Sequence, residues 1–148
     1  MRSSLPTLRY TSLNQQGLSP IHLAIRKRHT EMALRFLEID KHLVRVRGKK
    51  GKTPLHCISK VGNADGVLDR FLEACPECIR DVTTGNRTAL HIAVENDGLD
   101  VLRVLLRSLR KKDYCRQVIG WKDENGNTVL HVAASSNQTQ VRPIVSNN

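Results

Sequence analysis

An all-α solenoid of stacked helix-turn-helix units with β-hairpin-like fingers is the fold class that this 148-residue sequence predicts. Three observations predict it. A six-residue phrase recurs four times: Ser19-Pro20-Ile21-His22-Leu23-Ala24, Thr53-Pro54-Leu55-His56-Cys57-Ile58, Thr88-Ala89-Leu90-His91-Ile92-Ala93 and Thr128-Val129-Leu130-His131-Val132-Ala133. Its hydroxyl residues are 34, 35 and 40 positions apart, a period characteristic of repeat architectures. Two positions before each hydroxyl stands a turn-accepting residue, Gly17, Gly51, Asn86 or Gly126. Aromatic content is only 3%, so Leu, Ile, Val and Ala carry the apolar surface, which suits thin layers of short helices.

Residues 1–12 are expected to form a flexible segment, and Leu13 to Gly17 a finger entering the first unit. Ser19, Thr53, Thr88 and Thr128 are placed to cap the free N–H groups of a helix start. Pro20 and Pro54 follow at the first helical position, where the missing N–H costs nothing. A loop then leads to a second, more apolar helix. Met32, Leu34, Phe36 and Leu37 form it in the first unit, and Val67, Leu68, Phe71 and Leu72 in the second. The third draws on Leu99, Val101, Leu102, Val104, Leu105 and Leu106. The repeat domain is expected over 13–135, in units at about 17–50, 51–85, 86–125 and 126–135. The last is partial, because Pro143 is expected to break a second helix and 136–148 to fray. The spacing of 40 places about five extra residues around Lys111 to Gln117 as a longer, basic connection. Trp121 is expected to pack.

The formal net charge is +10 and unevenly placed. No acid precedes Glu31. Lys41, Arg45, Arg47, Lys49, Lys50, Lys52 and Lys60 form a run free of Asp and Glu. A second run holds Arg107, Arg110, Lys111, Lys112 and Arg116 against Asp113 alone. Such a field favours an acidic protein surface or an anionic membrane. Nucleic acid is not expected, since aromatic residues do not interleave with the basic runs. No apolar run is long enough to cross a bilayer, and the N-terminus lacks the apolar stretch of a secretory signal. With Cys57, Cys75, Cys78 and Cys115 this favours a reduced, cytoplasmic setting.

Cys75-Pro76-Glu77-Cys78 is a lone CxxC without the second ligand pair that zinc needs. His22, His56, His91 and His131 occupy one place each in successive layers. Stacking strings them along the solenoid, so each is expected to hydrogen-bond locally instead of joining a metal cluster. No phosphate loop, nucleophile elbow or metalloprotease helix occurs, and neither cofactor nor small-molecule substrate is expected.

The four hexamers resemble the ankyrin repeat, whose signature is Thr-Pro-Leu-His-x-Ala. Leu13 to Ala24, Ala74 to Ile79 and Trp121 to Thr128 further resemble plant ankyrin-repeat proteins of the bian-da type, relatives of those with a C-terminal PGG-type membrane region. That resemblance implies defence and stress signalling at the plasma membrane, although no stretch of these 148 residues matches the membrane region or the upstream repeats, so anchoring is not expected of them.

The function expected is non-catalytic protein binding through the fingers and the inner helix row. Arg26, Lys27, Arg28, Lys49, Lys50, Lys52, Arg87, Asp97, Lys122 and Glu124 are the expected partner-binding residues, and their net sign predicts an acidic partner. Attachment to an anionic membrane surface is the alternative, and a chain that acts little outside a longer relative is another.

Overall fold

The computed structural model describes residues 9–146, and for Ser146 the backbone alone. Of the N-terminal segment expected to be flexible, residues 1–8 lie outside the described residues, and 9–11 are helical. Tyr10 in that turn meets Phe36 edge-on at 5.7 Å.

Each unit starts at its hydroxyl residue. Ser19, Thr53, Thr88 and Thr128 take extended backbone geometry immediately before helices α1 (Pro20–Arg26), α3 (Pro54–Val61), α5 (Ala89–Glu95) and α8 (Val129–Ser135). The three Thr hydroxyls accept the backbone N–H of His56, His91 and His131 at 3.4, 3.3 and 3.4 Å. In return each imidazole Nδ1 accepts the N–H of its own cap residue, at 3.3 Å for Ser19, 2.9 Å for Thr53, and 3.1 Å for Thr88 and Thr128. Histidine thus takes the place that Glu holds in the ordinary capping box.

The chain then reverses through left-handed residues, Arg28, Asp65, Asp97 and Asn137, with φ of 61°, 53°, 56° and 55°. The second helices follow: α2 (Thr30–Ile39), α4 (Val67–Ala74), α6 (Leu99–Leu109) and α9 (Val141–Ser146). The inner helices α1, α3, α5 and α8 pack in one row, and α2, α4, α6 and α9 in a second behind it. Small residues let most of the inner row close: Ala24, Ala93 and Ala133 are buried, and Ile58 is buried at the same place in the second unit. One continuous core runs the length of the stack, with Phe71, Leu68, Leu102, Leu105 and Leu106 at its centre.

The longer third-to-fourth connection contains a short helix, α7 (Cys115–Ile119), with Cys115 and Val118 buried. Arg80 lies over the Tyr114 ring at 4.6 Å, and the Tyr114 hydroxyl donates to Glu77 at 3.2 Å, which fastens the connection to the preceding unit. Trp121 is half-buried against the core, as expected.

Three features differ from the sequence expectation. Pro143 does not break the chain's last helix but sits third in α9, where a first-turn residue has no intrahelical N–H bond to lose. Val141 and Val145 of that helix are buried. Met32, expected among the apolar packing residues, is 53% exposed, because no described layer lies on that side of α2. The fingers are tight turns, and no strand occurs among the described residues.

Candidate protein-binding surface

Residues 14–18, 48–52, 83–87 and 123–127 form four equivalent finger tips. In each, the first residue's N–H donates to the fifth residue's carbonyl, at 2.9, 2.7, 3.0 and 2.9 Å. The fourth residue's N–H returns to the first residue's carbonyl. That fourth residue is left-handed: Gly17, Gly51 and Gly126 at φ 79°, 72° and 79°, and Asn86 at 61°. This is the reason for the turn-accepting residue two places before each hydroxyl. In three tips a side chain adds two further bonds: Asn14 Oδ1, Thr83 Oγ1 and Asp123 Oδ1 each accept the N–H groups of the third and fifth residues. Gly48 has no such oxygen. It allows a close approach instead, since a Cβ there would stand 2.5 Å from the Gly17 carbonyl, and Lys50 takes up the left-handed geometry at φ 61°.

Neighbouring tips are joined one backbone bond at a time. Lys49 N–H donates to Gly17 O at 2.9 Å, Thr84 N–H to Lys50 O at 3.0 Å, and Glu124 N–H to Gly85 O at 2.9 Å. The histidines bind layer to layer. Nε2 of His22 meets the Lys52 carbonyl at 2.8 Å, and Nε2 of His91 the Asn127 carbonyl at 2.9 Å. His56 reaches the Asp81 carbonyl at 3.1 Å, six residues earlier than the equivalent position. Nδ1 acts as acceptor and Nε2 as donor, so these rings are neutral Nε2–H tautomers. Burial lowers the pKa of His22 and His91 and takes that of His56 down to about 4, against the pull of their carbonyl partners. Successive rings do not converge, and no group of His, Cys, Asp or Glu among the described residues could hold a metal ion.

The ten expected partner-binding residues divide into groups. Lys49 and Lys50 are exposed at the second tip, and Lys52 at its base is half-buried. Lys52, Arg26 and Lys60 lie near enough to Cys57 to oppose the burial that pushes its thiol up to about 11, so three cations gather beside one inner-helix residue. Lys60 was not among the expected residues. Its signal was positional: it stands seven residues after Thr53, as Arg26 stands seven after Ser19. Lys27 is exposed beside them. Arg28 donates to Val61 O at 2.7 Å and so ties α1 to the end of α3. Arg87 pairs with Glu95 at 2.7 Å and lies 3.9 Å from Asp123. Burial would raise the Asp123 carboxyl, but the N–H groups of Asn127 and Asn125 hold it below the ordinary value. Asp97 is exposed in its left-handed turn, and Lys122 and Glu124 are exposed at the fourth tip. The cations therefore concentrate over the first two units. The acids Glu95, Asp97 and Glu124 occupy the third and fourth.

The cysteines are free. Cys75 ends α4, and Cys78 is buried in the turn Pro76–Arg80, where burial pushes its thiol far above the ordinary value. A thiol so disfavoured as thiolate is a packing residue. No helix among the described residues is long and apolar enough to cross a membrane.

The family profile described as ankyrin repeats, three copies, matches residues 36–118 and 68–147. This chain belongs to the ankyrin-repeat family. It is 29% identical over 127 residues to NF-kappa-B inhibitor zeta of Mus musculus, a match covering 82% of this chain and 15% of that protein. The Homo sapiens protein of the same name is 28% identical over 135 residues, with the same coverage. The poly [ADP-ribose] polymerase tankyrase of Caenorhabditis elegans is 30% identical over 148 residues, covering 88% of this chain and 6% of the relative. The chain thus spans a small part of the curated relatives it matches. Ankyrin repeats form a protein-interaction fold. The narrower plant resemblance is not supported by these animal relatives.

Proposed function

We propose that this ankyrin-repeat chain binds an extended acidic segment of a partner protein along its finger tips and inner helices, without catalysing a reaction. The gathering of Arg26, Lys52 and Lys60 around Cys57, with Lys49 and Lys50 exposed at the adjoining tip, carries the proposal. Arg28 and Arg87 contribute by holding the surface in shape, since their guanidinium groups bond within the chain. At the other end Asp97 and Glu124 select against segments that are acidic throughout, and Lys122 beside Glu124 offers one further cation. The reading places the chain in a reduced, cytoplasmic setting and in signalling. Likeness to a protein named as an NF-kappa-B inhibitor supports signalling in general terms.

A fluorescent Glu-rich peptide and its Gln-for-Glu counterpart test the proposal by anisotropy at low and high salt. The acidic peptide binds at low salt and releases as salt screens the exposed cations. The triple variant Lys49→Glu, Lys50→Glu, Lys52→Glu loses that binding. Equal binding by the variant, or equal binding of both peptides, refutes the reading. Flotation of anionic vesicles with the wild-type chain but not with the triple variant, in the absence of peptide binding, shifts the assignment to a membrane surface, to which each Lys or Arg contributes about 1 kcal/mol.

A further inference from the structure

The second unit differs from the others at two places on its inner side. One is the residue before the hydroxyl, at the base of the finger. The other is seven residues after the hydroxyl, in the last turn of the inner helix. From the first unit to the fourth these are Leu18 and Arg26, Lys52 and Lys60, Arg87 and Glu95, and Asn127 and Ser135. In the third unit the two places meet: Arg87 Nη1 donates to Glu95 Oε1 at 2.7 Å. Ile92 of that inner helix is buried. In the second unit both places hold cations, so no such pair forms, and Cys57, at the place of Ile92, stays half-buried. Arg26 of the first unit brings a third positive charge to the Cys57 thiol. No acid among the described residues pairs with Arg26, Lys52 or Lys60.

On the strength of the partner-binding reading above, we infer that this cluster receives one phosphorylated serine or threonine of an extended partner segment, its phosphate seated between Lys52, Lys60 and Arg26 beside Cys57. Charge decides for phosphate. A carboxylate offsets one cation, as Glu95 does Arg87, whereas a phosphate monoester carries roughly −1.5 to −2 and three acceptor oxygens. The cluster is also confined to one layer. The first unit has Leu18 in place of Lys52, the third has Glu95 in place of Lys60, and Asp97 lies exposed beyond it. Packed helices stand roughly 8–10 Å apart, which is about three residues of extended chain. A second acid three positions along the segment would therefore face Glu95, so the negative charge belongs on a single side chain. Lys52 is half-buried at the finger base, a place open to a single chain and not to a flat bilayer.

Fluorescence anisotropy of the full chain with a neutral peptide carrying one central phosphoserine tests this, against the same peptide with Ser or Glu at that place. The phosphopeptide binds about tenfold more tightly than the Glu peptide, through its extra charge and oxygen. Lys60→Glu places a carboxylate where the third unit has Glu95 and removes that preference, and Arg26→Gln reduces it. Both residues are exposed, and unchanged circular dichroism shows that the fold persists. Lys41→Glu makes the same change of charge at an exposed residue outside the cluster and keeps the preference. Bound phosphopeptide slows alkylation of Cys57, followed by mass spectrometry, and leaves that of Cys75 unchanged. Equal affinity for the phosphoserine and Glu peptides, a preference kept by Lys60→Glu or lost in Lys41→Glu, or an unprotected Cys57 each overturn the inference. If the Glu-rich peptide binds while phosphoserine and Ser peptides bind alike, this site falls and the broader acidic reading stands; if no peptide binds, both fall. Flotation on phosphoinositide vesicles without phosphopeptide binding assigns the cluster to a membrane and overturns the inference too.

Discussion

Acidification from pH 7 to pH 5 weakens this fold through the buried imidazoles, and His56 sets the scale. Its ring is 1% exposed, its Nδ1 accepts the Thr53 N–H, and its pKa falls from 6.5 to about 4 on folding. The unfolded chain therefore binds the proton more readily than the folded one, and stability rises with pH. The stabilisation is complete above the unfolded pKa and is lost as pH falls from about 6.5 towards about 4. Between pH 7 and pH 5 that single ring removes about 2 kcal/mol of stability. His22 and His91, lowered in the same direction by burial, add to the loss. Urea midpoints followed by circular dichroism at pH 7, 6 and 5 measure it. Repeating the series in high salt separates it from repulsion among surface cations, which salt screens, whereas burial of the rings persists. A midpoint that is level or higher at pH 5 in high salt refutes the assignment of these rings as neutral layer-to-layer donors.

Further expectations concern single side chains. Thr88→Ala removes the oxygen that accepts the His91 N–H and contacts its Nδ1, and lowers stability by about 1 kcal/mol in a denaturant melt. Leu102→Ala leaves a cavity at a fully buried place between two outer helices and costs about 3 kcal/mol by the same assay. Arg45→Lys replaces the two-point pair with Asp81, made through Nε and Nη2, by a single contact and costs about 1 kcal/mol or less, because the guanidinium is half exposed. A loss above that of Leu102→Ala contradicts the geometry.

Features that repeat were legible in the sequence. Four hydroxyl–His pairs in register gave the helix starts, and the preceding Gly or Asn gave the finger turns, because both depend on residues within five positions of one another. What depended on layer neighbours was not legible. Arg28 and Arg87 look like free cations, yet their partners are a carbonyl 33 residues away and carboxylates 8 and 36 residues away. Met32 matches the apolar position of the other units, and only the stack shows that it is uncovered. Pro143 is a helix breaker by composition and a harmless first-turn residue once α9 is seen to begin at Val141. Of the basic surface, the run Lys49 to Lys52 was plain, whereas its approach to Arg26 and Lys60 required two separate units to be laid side by side.

The links between one finger and the next have a mechanical consequence. Each step carries a backbone bond, Lys49 to Gly17, Thr84 to Lys50 or Glu124 to Gly85, and a second bond from a side chain, His22 to Lys52 O, the Thr84 hydroxyl to Lys50 O or His91 to Asn127 O. Two ties per step oppose the swing that one alone would permit. The tips therefore stand as an evenly spaced palisade whose pitch is set by the layers beneath.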